Sequence, residues 1–339
     1  MDILKEIRDK IGKVSEGDRP RGINAILAHI EIAEKYYHKG NTEKDEHYFT
    51  DVIYRTNHAF EGILKEAYEV IQEQNASNKS PYEIEQYLSN NNVFNDRVMQ
   101  LFVNYRQSWR NPSTHDYQLF FGSQEAFLAI VSVSSFVNIL LDQIVEKLAY
   151  RDAKVKAIKH VEKYKKLHLD YTSLSLIGKC SKILVGYAKY FKEHFEKLYD
   201  LPEPELIGSL MGYISAFEPE WSISANSTIS VEGGSITPDI VIEGSSEKLI
   251  IQFKRGSASN LGLFYGEISP EYEQLKGFLK RSDVSMGIVF HTPASANFEI
   301  ITANSTSETI REIYSIEGSV LPPEDEVEYE DFADFGEQT

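Results

Sequence analysis

The stretch TPDIVIEGSSEKLIIQFKR, Thr237 to Arg255, reads as two short β-strands joined by a tight turn at Gly244, Ser245 and Ser246. Alternate residues of a strand point to opposite faces. Gln252 and Lys254 therefore share one side of the second strand, with Ile251 and Phe253 on the other. Asp239 sits on the first strand, and Ile240, Ile242, Leu249, Ile251 and Phe253 are the apolar anchors. A carboxylate, an amide carbonyl and an ammonium are thus expected together on one side of a hairpin. Divalent-metal phosphodiester chemistry needs that combination: hard oxygens to hold the ion, beside a cation that steadies developing phosphate charge.

Around the hairpin the pattern is mixed. A helix is expected over Glu203 to Phe217, then strands at Ile223 to Val231, Ile236 to Ile242 and Leu249 to Phe253, with Gly233 and Gly234 as a turn. A helix near Pro270 to Lys280, strands at Met286 to Phe290 and Phe298 to Thr302, and a helix from Glu308 to Ile316 complete the order. Towards the N-terminus the spacing turns helical throughout. Ile23, Ile26, Leu27 and Ile30 form one stripe, and Val52, Ile53, Phe60, Ile63, Leu64, Tyr68 and Ile71 another. Asn75 to Pro81 is a polar break; Val93 to Trp109 resumes the helix, which Pro112 is expected to stop. The apolar run Ala126 to Leu141 reads as a buried helix, too short and too rich in serine to span a bilayer.

These boundaries predict a multidomain α plus α/β chain: a helical bundle over residues 1–150, a basic helical connector over 151–200, a mixed sheet flanked by helices over 201–320 and an acidic tail over 321–339. The formal charge of −17 argues against phosphate contacts until its distribution is read. The tail holds eight carboxylates and no base, whereas residues 151–200 carry twelve Lys or Arg against six Asp or Glu, a candidate phosphate track. The tail is expected to compete with nucleic acid for that track. One cysteine, Cys180, reads as a buried structural thiol and excludes a multi-cysteine zinc site. His29, His47 and His58 show no second ligand at metal spacing, and no glycine loop suits ATP or NAD. The charged N-terminus lacks the pattern of a secretion signal, so a cytoplasmic chain with no membrane contact is expected.

Pro238–Asp239 followed by Gln252–Phe253–Lys254 resembles the PD-(D/E)xK, or restriction-endonuclease-like, family, and the string QFKR is similar to its Mrr-type variant with Gln in the acidic position. The resemblance covers about Pro202 to Gly318. It implies Mg²⁺ or Mn²⁺ held by Asp239, Gln252 and an acidic residue of the first helix, for which Glu205 is the choice over Glu218, with Lys254 assisting water attack on a DNA phosphodiester. Gln274 resembles the polar helix position behind such sites. His291, read as a loop residue after the strand MGIVF, is a weaker candidate.

A second resemblance lies in RNPSTH, Arg110 to His115, which is similar to the Arg-x4-6-His motif of the HEPN superfamily of helical ribonucleases and toxins, including the polar Asn111 after the Arg. It implies a dimerising domain and metal-independent RNA cleavage, with His115 handling the 2′-hydroxyl proton and Arg110 the phosphate charge. Capping of the preceding helix or pairing with Asp116 would equally place these two side chains. Together the resemblances imply a prokaryotic anti-phage or toxin-like nuclease, a homodimer or higher homo-oligomer, with nucleic acid and a defence-system protein as partners. Three readings stay open: a metal-dependent DNA nuclease, a metal-independent ribonuclease whose C-terminal fold binds nucleic acid, and a non-catalytic interaction module.

Overall fold

The computed structural model describes residues 2–13, 22–91, 93–94, 96–116, 118–167, 171–194, 201–231, 233–244, 246–255, 269–292, 298–303, 309–317 and 327–328. The chain forms two compact units, Met1–Leu148 and Ala149–Thr339. The first is helical: α1 (Ile3–Lys13), α2 (Ile23–Glu43), α3 (His47–Gln72), α4 (Pro81–Asn90), α5 (Asp96–Tyr105), α6 (Asn111–His115) and the start of α7 (Ser123–Leu167). The second unit takes the rest of α7, with α8 (Leu176–His194), α9 (Glu203–Phe217), α10 (Pro270–Leu279) and the strands β1 (Ser222–Ala225), β2 (Ile229–Val231), β3 (Gly234–Ile236), β4 (Ile240–Glu243), β5 (Lys248–Arg255), β6 (Met286–Thr292), β7 (Phe298–Ala303), β8 (Ile310–Glu317) and β9 (Val327–Glu328). An α plus α/β organisation is thus what the sequence pattern predicts and what the chain adopts.

In the first unit α2 and α3 pack as an antiparallel pair, and Gly40 is required where they meet, since a Cβ there would stand 2.7 Å from the Phe49 ring. Their apolar stripes close on Phe102, Tyr105, Val133, Phe136, Val137 and Leu140. Ser80 opens α4 with a reciprocal capping box, its hydroxyl accepting from Glu83 N while the Glu83 carboxylate accepts from Ser80 N. Pro112 does not end the helix before it. Residues 96–115 run on through a π-helical turn, Arg106–Arg110, in which Asn111 N donates to Arg106 O. The wider turn shifts the hydrogen-bond register by one residue, so the helix absorbs the missing N–H and the ring of Pro112. The segment Ser123–Ile158 of α7 is long and apolar enough to cross a membrane by length and composition, yet half of its most apolar window is buried in the fold.

In the second unit the sheet order is β1-β4-β5-β6-β8-β7-β9, with β5, β6 and β8 parallel and the other pairs antiparallel. Leu249, Ile251, Phe253, Ile288 and Phe290 face α8 and α9, where they pack with Tyr187, Leu206, Leu210, Tyr213 and Phe217. Ile250, Val289 and Ile310 face α10 through Tyr272 and Leu275. Cys180 lies buried in the first of these layers, and burial pushes its thiol pKa up. Ala157, Val161, Ile183 and Leu184 of the basic segment join the same layer. The close crossing of α7 and α9 explains Gly212, whose added Cβ would fall 2.1 Å from Tyr150 O.

Three expectations need correction. The strands expected at Ile223 to Val231 and Ile236 to Ile242 are four shorter ones, because Asn226 takes a left-handed φ of 51° and Pro238 withdraws an N–H from any ladder. β2 and β3 form a separate two-stranded ribbon around Gly233, whose φ is 84°. The helix expected to end at Ile316 is strand β8, hydrogen-bonded in parallel to β6. Its apolar residues recur at three-residue steps, but three isoleucines and a tyrosine favour a strand once an edge is there to pair with. The acidic tail lies outside the described residues except for Val327 and Glu328.

Candidate functional site

The hairpin of the second unit forms with Ile240 opposite Ile251 and Glu243 opposite Lys248. Asp239 stands one residue before this register, next to Gln252, so the two belong to the same side of the sheet. Asp239 is half-buried, its Oδ2 accepts from Phe253 N at 2.6 Å, and its own carbonyl accepts from Asn226 N. Burial raises its pKa, against the lowering pull of the Phe253 N–H and the Lys254 charge. Glu203, in the first turn of α9, adds a negative charge felt at Asp239. Gln252 is 8% exposed, and its Oε1 has no hydrogen-bond partner among the described residues. A buried carbonyl oxygen without a donor costs roughly 1–3 kcal/mol, which a ligand at that position would recover.

Lys254 is partly exposed, and its ammonium makes no ion pair or hydrogen bond among the described residues. Parallel pairing puts it beside His291, and Gln252 beside Val289, which in turn pairs with Glu312. Residues 252, 254, 289, 291 and 312 therefore share the α10 side of the sheet, at the carboxyl ends of β5 and β6. His291 is not in a loop: β6 extends to Thr292, and the imidazole is buried with Nε2 3.0 Å from Glu312 Oε1. The Ser269 hydroxyl donates to the same carboxylate oxygen and accepts from Tyr272 N at the start of α10. This Ser269–Glu312–His291 cluster is the part of the site that the sequence conceals, because Glu312 becomes its neighbour only when β8 is a strand. The one local signal is the polar pair His291–Thr292 closing an otherwise apolar strand.

The other expected residues fall as follows. Glu205 lies on α9 and acts electrostatically on the buried Tyr187 hydroxyl, whereas the α9 carboxylate felt at Asp239 is Glu203. Glu218 accepts from the Tyr171 hydroxyl at 2.8 Å and pairs with Lys179 at 3.6 Å, a helix-end role. Gln274 is exposed on α10. As for metal fit, the described residues assemble no group of three or more His, Cys, Asp and Glu. The oxygens of Asp239 and Gln252 are nevertheless hard donors, and Mg²⁺ commonly takes one or two protein oxygens and keeps several waters.

In the first unit the π-turn aims two arginines at neighbouring helices. Arg106 Nε donates to the buried Glu85 of α4 at 2.8 Å. Arg110 Nε donates to Glu61 of α3 at 2.7 Å, and its Nη1 to Asn111 Oδ1 at 3.1 Å. The turn is fixed from beneath: Asn57 Nδ2 donates to Ser113 Oγ at 2.7 Å, Ser113 Oγ to Arg110 O, and the buried Tyr105 hydroxyl bonds Thr56 and Asn57. Arg110 is partly exposed and His115 exposed at the end of α6, with no hydrogen bond between their side chains among the described residues. Tyr117, beside them in sequence, lies outside the described residues.

The fold and these two clusters define the class: a two-unit chain with a helical bundle and a mixed α/β sheet. No family model, curated protein or solved structure matches it.

Proposed function

We propose that the second unit is a metal-dependent phosphodiesterase acting on nucleic acid, of the PD-(D/E)xK kind that its hairpin resembles. The observation that carries this reading is the buried Gln252 Oε1, without a hydrogen-bond partner among the described residues, beside Asp239 and Lys254 on one face of the sheet. Asp239 and Gln252 would hold Mg²⁺ or Mn²⁺, with an α9 carboxylate, Glu203 or Glu205, as a further oxygen donor. Such an ion lowers the pKa of bound water and neutralises phosphate charge. Lys254 supplies a second positive charge to the phosphate and orients the attacking water. The His291–Glu312 pair lies beside Lys254 in the register of β5 and β6 and would bound that side of the site.

A second reading rests on the half-exposed Arg110, held in a fixed direction by Glu61 and Asn111, with His115 exposed close by in sequence. On that reading the helical unit is a HEPN-type ribonuclease, complete when two copies meet. In either case the chain acts as a homodimer in the cytoplasm, in a defence or toxin-like role.

Incubating purified protein with plasmid DNA and with RNA, each in Mg²⁺ or EDTA, separates these readings. Metal-dependent DNA cutting is expected. Cutting of RNA that persists in EDTA and is lost in His115→Ala would replace the first reading by the second, and no cutting under any condition would leave the chain a binding module.

A further inference from the structure

The ribbon β2–β3 belongs to neither candidate site. Its strands pair Ile229 with Ile236, Ser230 with Ser235 and Val231 with Gly234. Strand alternation sorts the side chains. Ile229, Val231 and Ile236 turn to the layer of Ile250, Val289 and Tyr272, on the side of the sheet that carries Gln252 and Lys254. Ser230 and Ser235 stand opposite each other on the other face, both exposed, with Thr228 and Thr237 exposed at the base of the ribbon. None of these four hydroxyls is hydrogen-bonded to another group among the described residues.

At the tip stand two glycines, and the fold requires only one of them. Gly233 has a φ of 84°, which strains any residue with a side chain. Gly234 has no positive φ, and a Cβ added to it would meet nothing within 4 Å among the described residues. Glycine weakens a strand, so one that neither backbone nor packing demands marks a place where a ligand comes close to the chain. A two-stranded ribbon is an element that the major groove of duplex DNA admits, and serine hydroxyls can donate to or accept from the base edges there. Phosphate neutralisation is not open to this ribbon: from Thr228 to Thr237 the one charged residue in the sequence is the acidic Glu232. Nor does that stretch hold an aromatic side chain on which an unpaired base could stack.

We propose that β2–β3 is an element that reads the major groove of duplex DNA. Ser230 and Ser235 contact base edges and give the second unit a sequence preference, while Gly234 lets the tip enter the groove. The choice of DNA rests on the phosphodiesterase reading of this unit, but the contact itself needs neither metal nor cleavage.

The test measures binding alone. Duplexes of about twenty base pairs, two helical turns, with a randomised centre are incubated with the whole chain in EDTA, and the bound fraction is sequenced. Wild type should enrich a preferred sequence at least about tenfold over the library average, the scale of one good side-chain contact to a base pair. Ser230→Ala/Ser235→Ala should lower that enrichment to about twofold or less, as expected when base contacts are removed and the rest of the surface is kept. Gly234→Val puts a strand-favouring side chain into open space. It should melt no lower than wild type by circular dichroism and yet bind the preferred duplex about tenfold more weakly. Ser285→Ala, an exposed serine outside the ribbon, should leave the preference unchanged. No sequence preference in wild type, an unchanged preference in Ser230→Ala/Ser235→Ala, or full affinity in Gly234→Val would overturn the proposal. A preference carried by the ribbon without cleavage in Mg²⁺ would sink the phosphodiesterase reading and leave the ribbon's role standing.

Discussion

At the scale of single residues, Asp239 and Gln252 divide what sequence can and cannot convey. That they share a side of the sheet follows from strand alternation and is read from PDIVIE and IIQFK directly. That the Gln252 carbonyl oxygen is buried without a donor among the described residues depends on what surrounds it, which no local pattern encodes. The same holds for Glu203, whose charge is felt at Asp239: it and Glu205 both lie in the first turn of α9, and no local pattern tells which approaches the hairpin. A measurable consequence concerns metal binding itself. Ligands that bind only the folded state raise its stability by mass action. Wild type should melt at a higher temperature as Mg²⁺ is raised through the millimolar range, whereas Asp239→Asn should show little or no rise. Equal Mg²⁺ shifts in both proteins would remove Asp239 from the metal site.

At the scale of elements, helices with long apolar stripes and the strands β5, β6 and β7 were legible, whereas β8 and the division into β1 to β4 were not. β8 shows why: its three-residue apolar spacing suits a helix, and the open edge of β6 overrides that preference. The buried His291–Glu312 pair follows from that override. Pro112 is the reverse case, a helix breaker accommodated by a π-turn. Two elements make testable demands. On α7, burial raises the Glu146 pKa from 4.5 to about 7, and Asp142 one turn earlier adds to the effect. Between those two values the folded chain keeps a proton that the unfolded chain releases, so stability falls as pH rises through that window. Glu146→Gln should therefore match wild type near pH 4 and exceed it at pH 8 by on the order of 1–3 kcal/mol in urea unfolding; a difference independent of pH would contradict the burial argument. On α9, Gly212→Ala drives a methyl group into the backbone of Tyr150. Overpacking against main chain that cannot rotate away should cost about 1–3 kcal/mol or more, seen as a lower urea midpoint, and a neutral result would mean that the two helices separate at no cost.

At the scale of the whole molecule, the change in periodicity after Pro202 marks where the strands begin, whereas the two units divide earlier, between Leu148 and Ala149 within α7. The charge pattern was equally plain, with an acidic tail set against the basic helices of 151–200. Hidden from the sequence was how those basic helices fold: Ala157, Val161, Ile183 and Leu184 belong to the core of the second unit. We propose that this unit cuts phosphodiesters with a metal held at Asp239 and Gln252 and a charge supplied by Lys254. It is tested most directly by comparing plasmid cleavage by wild type and by Lys254→Ala in Mg²⁺, with circular dichroism confirming that both are folded. The account predicts cleavage by wild type that EDTA abolishes and a loss of at least about 100-fold in the variant, the scale of a removed charge-stabilising group. Undiminished cleavage by Lys254→Ala would contradict it.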